Sequence, residues 1–108
     1  MREREVCLME NTELMTKQLY EVLASLTSPE EVRLFFTDLC TPKEVEYMAQ
    51  RVEAARLLMA GLTYQEVTER INISSATLTR VSKCVKAEHG YRRVLQRYTE
   101  KKNGENSQ

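Results

Sequence analysis

Thr63-Tyr64-Gln65-Glu66-Val67-Thr68-Glu69-Arg70-Ile71-Asn72-Ile73-Ser74-Ser75-Ala76-Thr77-Leu78-Thr79-Arg80-Val81-Ser82-Lys83-Cys84-Val85-Lys86 reads as two short helices joined by a tight turn. Thr63 stands three residues before Glu66, so its oxygen is placed to accept from the Glu66 N–H while the carboxylate reaches back to the Thr63 N–H, forming a capping box. Val67 and Ile71 then share a face. Asn72, one of the few non-glycine residues that tolerate a positive φ, is expected to end the helix. Ile73 is apolar inside the turn and is expected to plug the angle between the helices, and Ser74 or Ser75 supplies the oxygen that caps the second. The expected unit is a helix-turn-helix over residues 63–87.

The second helix sorts its residues by face. Leu78, Val81 and Val85 recur at i, i+3 and i+7 and should pack inward, while Ala76, Thr79 and Lys83 repeat with the same spacing on another side. A helix that enters the DNA major groove needs short side chains near its N-terminus and hydroxyls or cations further along, which is what this outer stripe offers. The alternative is an amphipathic hairpin whose polar side is only solvated: a protein-interaction or antitoxin-like module without specific DNA readout.

Charge placement favours DNA. The chain holds 16 Lys and Arg against 16 Asp and Glu, so its total is neutral. The distribution is uneven: Thr63 to Lys102 carries nine bases against four acids, and residues 1–60 carry seven bases against eleven acids. A molecule polarised in this way approaches phosphate with its C-terminal half.

Outward from the motif, 108 residues that are 42% hydrophobic, with only two prolines and three glycines, suit one all-α domain with short connections. A helical pattern begins at Leu14 or Met15 and runs through Leu19, Val22, Leu23 and Leu26. Ser28-Pro29-Glu30-Glu31 then caps a helix with Val32, Phe35, Phe36 and Leu39 on one face. Thr41-Pro42-Lys43-Glu44 repeats the device, opening a helix to about Ala60 that should bury Val45, Met48, Ala49, Val52 and Met59 and end on Gly61. After Gly90 comes a last helix with Tyr91, Val94, Leu95 and Tyr98 on one stripe. The expected organisation is a flexible segment at 1–12, a single domain at 13–102 with six helices, and a disordered tail at 103–108.

Three cysteines, Cys7, Cys40 and Cys84, are odd in number and far apart, which indicates neither a disulfide framework nor a metal site. The brief apolar run Val6 to Met9 is neither a signal peptide nor a membrane span, so a reducing, cytoplasmic location is expected and a membrane partner is not. His89 is the only histidine, and no phosphate loop or nucleophile elbow is present, so no enzyme and no catalytic residues are expected. The first, second and last helices carry wide apolar stripes that so short a chain has difficulty covering alone. A homodimer would cover them. It would also set two reading heads about one helical turn apart on a palindromic operator.

The order of six helices, Thr41-Pro42 opening the third with Arg51 further along it, Gly61 before the motif, and Ala76-Thr77-Leu78-Thr79-Arg80 followed by Ser82 and Lys86 together resemble the tryptophan repressor family, over about Leu14 to Tyr98. The resemblance implies an intertwined homodimer in which the N-terminal helices of one chain wrap the C-terminal helix of the other. It also implies a sequence-specific transcriptional regulator, most simply a repressor, whose partners are double-stranded DNA and a second copy of itself. Ala76, Thr79 and Lys86 match the family's DNA-contacting residues, and Tyr64, Gln65, Thr68, Ser75 and Lys83 stand at contact positions with changed identity, so a different operator is implied. Gln65 is suited to an adenine edge and Tyr64 to a phosphate.

The family also holds a corepressor between two arginines, matched by Arg51 and Arg80, with Thr41 and Thr77 at its threonine positions. Cys84 replaces the serine that accepts from the ligand's amino group, and a thiol is a weaker partner. Val81 stands where the family has a glycine against which the indole lies, adding three carbons to a space with little slack. The resemblance therefore implies a small-molecule effector other than tryptophan, or none, and no cofactor.

Overall fold

The computed structural model describes the backbone over residues 2–106 and the side chains of residues 11–104. Among these residues all regular structure is helical: α1 Arg2–Ser25, α2 Pro29–Leu39, α3 Pro42–Met59, α4 Tyr64–Arg70, α5 Ser75–Lys86 and α6 Gly90–Asn106.

Local chemistry sets most of the boundaries. Ser28 Oγ accepts from the Glu31 N–H at 3.1 Å with Pro29 at the first helical position, so α2 opens as its sequence predicts. The Thr63 cap is complete in both directions, Glu66 N–H to Thr63 Oγ1 at 3.2 Å and Thr63 N–H to Glu66 Oε1 at 3.1 Å. Ser74, rather than Ser75, caps α5 by accepting from the Thr77 N–H at 3.2 Å. Gly61 closes α3 at φ +96°, with Gly61 N–H to Leu58 O and Leu62 N–H to Leu57 O forming the paired bonds of a Schellman ending.

Several expectations are corrected. Asn72 does not take positive φ; α4 ends when Ile71 swings to extended backbone (φ −134°, ψ 149°) while its N–H still reaches Val67 O, so no left-handed residue is needed there. The left-handed position lies instead at Glu88, φ 58°, in the turn between α5 and α6. The first helix begins at Arg2, ahead of the expected start at Leu14, because Arg, Glu, Met and Leu supply good helix formers with no proline or glycine to stop them. At the other end α6 continues to Asn106, past the Asn103 at which a tail was expected. Of the residues assigned to the flexible segment and the tail, Met1, Ser107 and Gln108 lie outside the described residues.

The chain forms two compact units that meet in sequence between Thr41 and Pro42. The first contains α1 and α2. No side chain between residues 11 and 41 is buried, and Met15 and Tyr20 are 60% and 64% exposed. On α2, Val32, Phe35 and Phe36 are half-buried, with the two rings tilted at 6.5 Å.

The second unit contains α3 to α6 and has a continuous core of Ala54, Ala55 and Leu57 from α3, Val67 from α4, Leu78, Val81 and Val85 from α5, and Leu95 from α6. Ile73 packs against this core from the turn, as expected of a plug, and Met59 joins it partly buried. The buried part of α3 differs from expectation. Val45 and Met48 are half-buried, Ala49 and Val52 are exposed, and the helix buries Ala54 and Ala55 completely, because the other helices of the unit enclose only its C-terminal half. Two alanines there let neighbouring backbones approach closely. No helix among the described residues is long and apolar enough to cross a membrane.

Candidate nucleic-acid interface and adjoining cavity

α5 divides its residues as its spacing predicts. Leu78, Val81 and Val85 are 1%, 2% and 5% exposed and anchor the helix to the core, while Ala76, Thr79 and Lys83 are open to solvent on another face. Thr79 Oγ1 donates to Ser75 O at 2.8 Å, one turn back, which leaves the oxygen's lone pairs outward as acceptors. Arg80 and Lys86 are also exposed, and neither they nor Lys83 form an ion pair among the described residues. Tyr64, Gln65 and Thr68 lie exposed on α4. Thr68 Oγ1 donates to Gln65 O at 2.9 Å, and the Gln65 amide sits 3.4 Å from a Glu69 carboxylate oxygen, a long contact that a stronger partner can displace. The Thr63 N–H, and then the Thr63 hydroxyl, hold the Glu66 carboxyl below the usual carboxylate value, so at neutral pH this acid is committed to the cap.

Two contacts that fix α5 lay beyond sequence reasoning. Arg92 Nε, from α6, donates to Val85 O at 3.2 Å and so adds a cation to a last-turn carbonyl of α5 that also accepts from the Glu88 N–H. Ser74 Oγ also donates to Thr77 Oγ1 at 2.9 Å, stiffening the first turn. A basic residue within reach of a helix C-terminus was the available signal for Arg92, but several arginines were equally placed along the chain.

Beside the turn of the helix-turn-helix is an open cavity of about 500 Å³ within the second unit. Arg51, Thr77, Arg80 and Cys84 come together on its wall with Val81, whose side chain forms part of the floor. Thr41 belongs to the other unit and is not among the lining residues. Sequence reasoning missed Tyr47, Gln50, Asn72, Ile73, Ser74 and Tyr91. The signal for two of them was present, since Tyr47, Gln50 and Arg51 follow i, i+3, i+4 spacing and must share a face. Arg51 and Arg80 form no ion pair among the described residues, and no carboxylate lines the cavity, which is therefore electropositive. Among the described residues no group of side chains is suited to hold a metal ion.

Comparison with known proteins places this geometry. A solved structure described as a TrpR-like protein from Eubacterium eligens ATCC 27750 superposes with a TM-score of 0.75 at 33% identity, covering 80% of this chain and 90% of that one. YerC of Bacillus subtilis (strain 168), described as an uncharacterized protein, is 43% identical over 68 residues, 63% of this chain and 65% of the relative, so the match spans just under two thirds of that protein. The model of the Trp repressor protein family matches residues 15–99, taking in most of both units and the whole helix-turn-helix, and the chain belongs to that family.

Proposed function

We propose that the protein is a sequence-specific DNA-binding transcriptional regulator, a repressor, that acts in the cytoplasm as a homodimer on a palindromic operator and has no catalytic activity. The observation that carries this reading is the exposed Ala76, Thr79 and Lys83 stripe on a helix whose opposite face is locked into the core. A small residue near the helix N-terminus lets the backbone approach base edges, and an acceptor and a cation follow one turn apart. Ser75 and Lys86 extend the surface to phosphate, and Tyr64, Gln65 and Thr68 add it from α4. A homodimer accounts for the first unit, whose exposed apolar side chains need a cover.

The adjoining cavity is proposed to take a small-molecule effector through Arg51, Thr77, Arg80 and Cys84. Val81 narrows it against an indole lying on the backbone, so tryptophan is a poor fit. Oligonucleotides selected from a random pool test the reading. Bound duplexes should share a two-fold symmetric sequence, and log K should fall with log salt concentration with a slope of several units. Lys83→Ala should weaken all duplexes and reduce that slope by about 1, while Thr79→Ala should relax discrimination at one base pair by about 1–3 kcal/mol. Retention on no duplex at low salt would point instead to a protein partner for the same face.

A further inference from the structure

We propose that the cavity beside the helix-turn-helix takes an aromatic small molecule that carries a carboxylate or a phosphate and no ammonium group, so that the effector is an organic anion rather than an amino acid. The inference rests on the effector reading proposed above and names the class of ligand.

The donors on the wall set the sign of the ligand. Arg51 reaches the cavity from α3 and Arg80 from α5, and neither forms an ion pair among the described residues. A guanidinium offers only N–H donors, in a planar fork that matches a carboxylate or a phosphate. Thr77 adds a hydroxyl donor. Its Oγ1 accepts from Ser74 Oγ at 2.9 Å, while Ser74 Oγ accepts from the Thr77 N–H at 3.2 Å. The Ser74 proton is therefore spent within the turn, and the Thr77 proton is left to give to a ligand.

The same wall rejects a cation. No carboxylate among the described residues lines the cavity, the Gln50 and Asn72 amides are neutral, and the Cys84 thiol is a weak acceptor. Glu46, next to Tyr47 in sequence, pairs with Lys43 at 3.5 Å and is not on the wall. The Tyr47 ring does not take its place, since Lys43 Nζ already lies 5.7 Å from the ring centroid. An ammonium group would enter beside two guanidiniums with no opposite charge to meet it, and an unpaired charge of this kind discriminates against a ligand that brings it. The remaining lining asks for a ring. Ile73, Val81 and the rings of Tyr47 and Tyr91 supply apolar surface, and about 500 Å³ is room for an aromatic group with its acid. A duplex phosphate would answer the arginines but leave that surface in water.

Calorimetric titration of the full chain, without DNA and at fixed ionic strength, tests this with probes that share a phenyl ring: 3-phenylpropionate, phenyl phosphate, L-phenylalanine and phenethylamine. The better of the two anions should bind at least about ten-fold more tightly than L-phenylalanine, which is 3-phenylpropionate with an ammonium group added, and phenethylamine should not bind. Which anion binds more tightly assigns the acid as a phosphate or a carboxylate. Arg51→Gln and Arg80→Gln should each weaken anion binding about ten-fold or more, and both residues are exposed, so the fold is spared. Gln50→Glu supplies the missing carboxylate and should narrow the preference for anion over zwitterion to within about three-fold. L-Phenylalanine that binds as tightly as both anions overturns the anion class and leaves an effector in the cavity. Binding of no probe overturns the class and the effector together, and retention of the same chain on duplex DNA then leaves the DNA-binding reading standing. Arginine variants that bind the anions unchanged but lose duplex affinity also overturn the proposal and make Arg51 and Arg80 phosphate contacts.

Discussion

The two units of this chain are built from similar proportions of apolar residues but use them in opposite ways. From Pro42 onward eight hydrophobic side chains converge on one core, and the helix-turn-helix is held by it. Before Thr41 helices of comparable quality, with a sound cap at Ser28, bury no described side chain. The contrast separates two things that helical periodicity cannot: a stripe that is apolar because its own chain covers it, and one that is apolar because something else must. Propensity and caps form helices in both cases, whereas only packing makes one of them rigid.

Truncation should expose the contrast most strongly. Leu78→Ala removes a side chain that is 1% exposed at the centre of the core, and equilibrium denaturation should show a loss of about 3 kcal/mol with little change in the denaturant slope. Met15→Ala removes one that is 60% exposed and should cost less than about 0.5 kcal/mol at dilute protein concentration. If a second copy covers Met15, the cost of that substitution should grow as protein concentration rises, because assembly then contributes to stability. Equal losses at every concentration would erase the distinction between the units.

What the sequence disclosed follows the same division. Caps act over three or four residues, so Thr63 with Glu66, Ser28 with Glu31 and the Gly61 ending were all readable from spacing. The inward face of α5 was readable too, because Leu78, Val81 and Val85 meet a core that its own unit supplies. On α3 the same periodicity pointed to Val45 through Val52, and the structure buries Ala54, Ala55 and Leu57 instead, since which half of a long helix is enclosed depends on partners distant in sequence. The cavity was legible only in part for that reason: Arg51, Thr77, Arg80 and Cys84 share its wall and Tyr47 lies on the Arg51 face of α3, but Tyr91 reaches it from α6, whose placement no local signal fixes.

Within the better-packed unit, the link from Arg92 to Val85 ties α6 to the end of α5. Arg92→Ala leaves that carbonyl without its charged donor and should cost about 1.5–2 kcal/mol, with faster hydrogen exchange confined to the last turn of α5. Arg92→Lys should restore only part of this, because the donor is a guanidinium Nε held in plane. A loss spread evenly over all helices would mean that Arg92 acts through general packing.

The Thr63 cap comes next in size. Thr63→Ala should cost about 1 kcal/mol through loss of the acceptor for the Glu66 N–H. The Glu66 side of the cap depends on pH. Because the folded pKa lies below the ordinary carboxylate value of 4.5, the ionised form is favoured by folding. Its contribution is complete above that value and is lost as pH falls through the depressed folded pKa. Acid titration of stability should therefore be shallower in Glu66→Gln than in the wild type below about pH 4.5, and identical curves would exclude a role for the carboxylate.

The smallest effect should be a gain. Glu88 holds φ 58° in the turn after α5, a conformation in which a side chain crowds the following carbonyl and glycine does not. Glu88 is exposed, so replacing it removes no buried contact. Glu88→Gly should raise stability by about 0.5 kcal/mol, the relief of strain being partly offset by the wider freedom of glycine in the unfolded chain. Glu88→Ala keeps the crowding and should give no gain, and the difference between the two variants isolates backbone strain from loss of the carboxylate. The relief falls wholly within the packed unit, so the gain should not vary with protein concentration, in contrast to Met15→Ala if a second copy covers that residue.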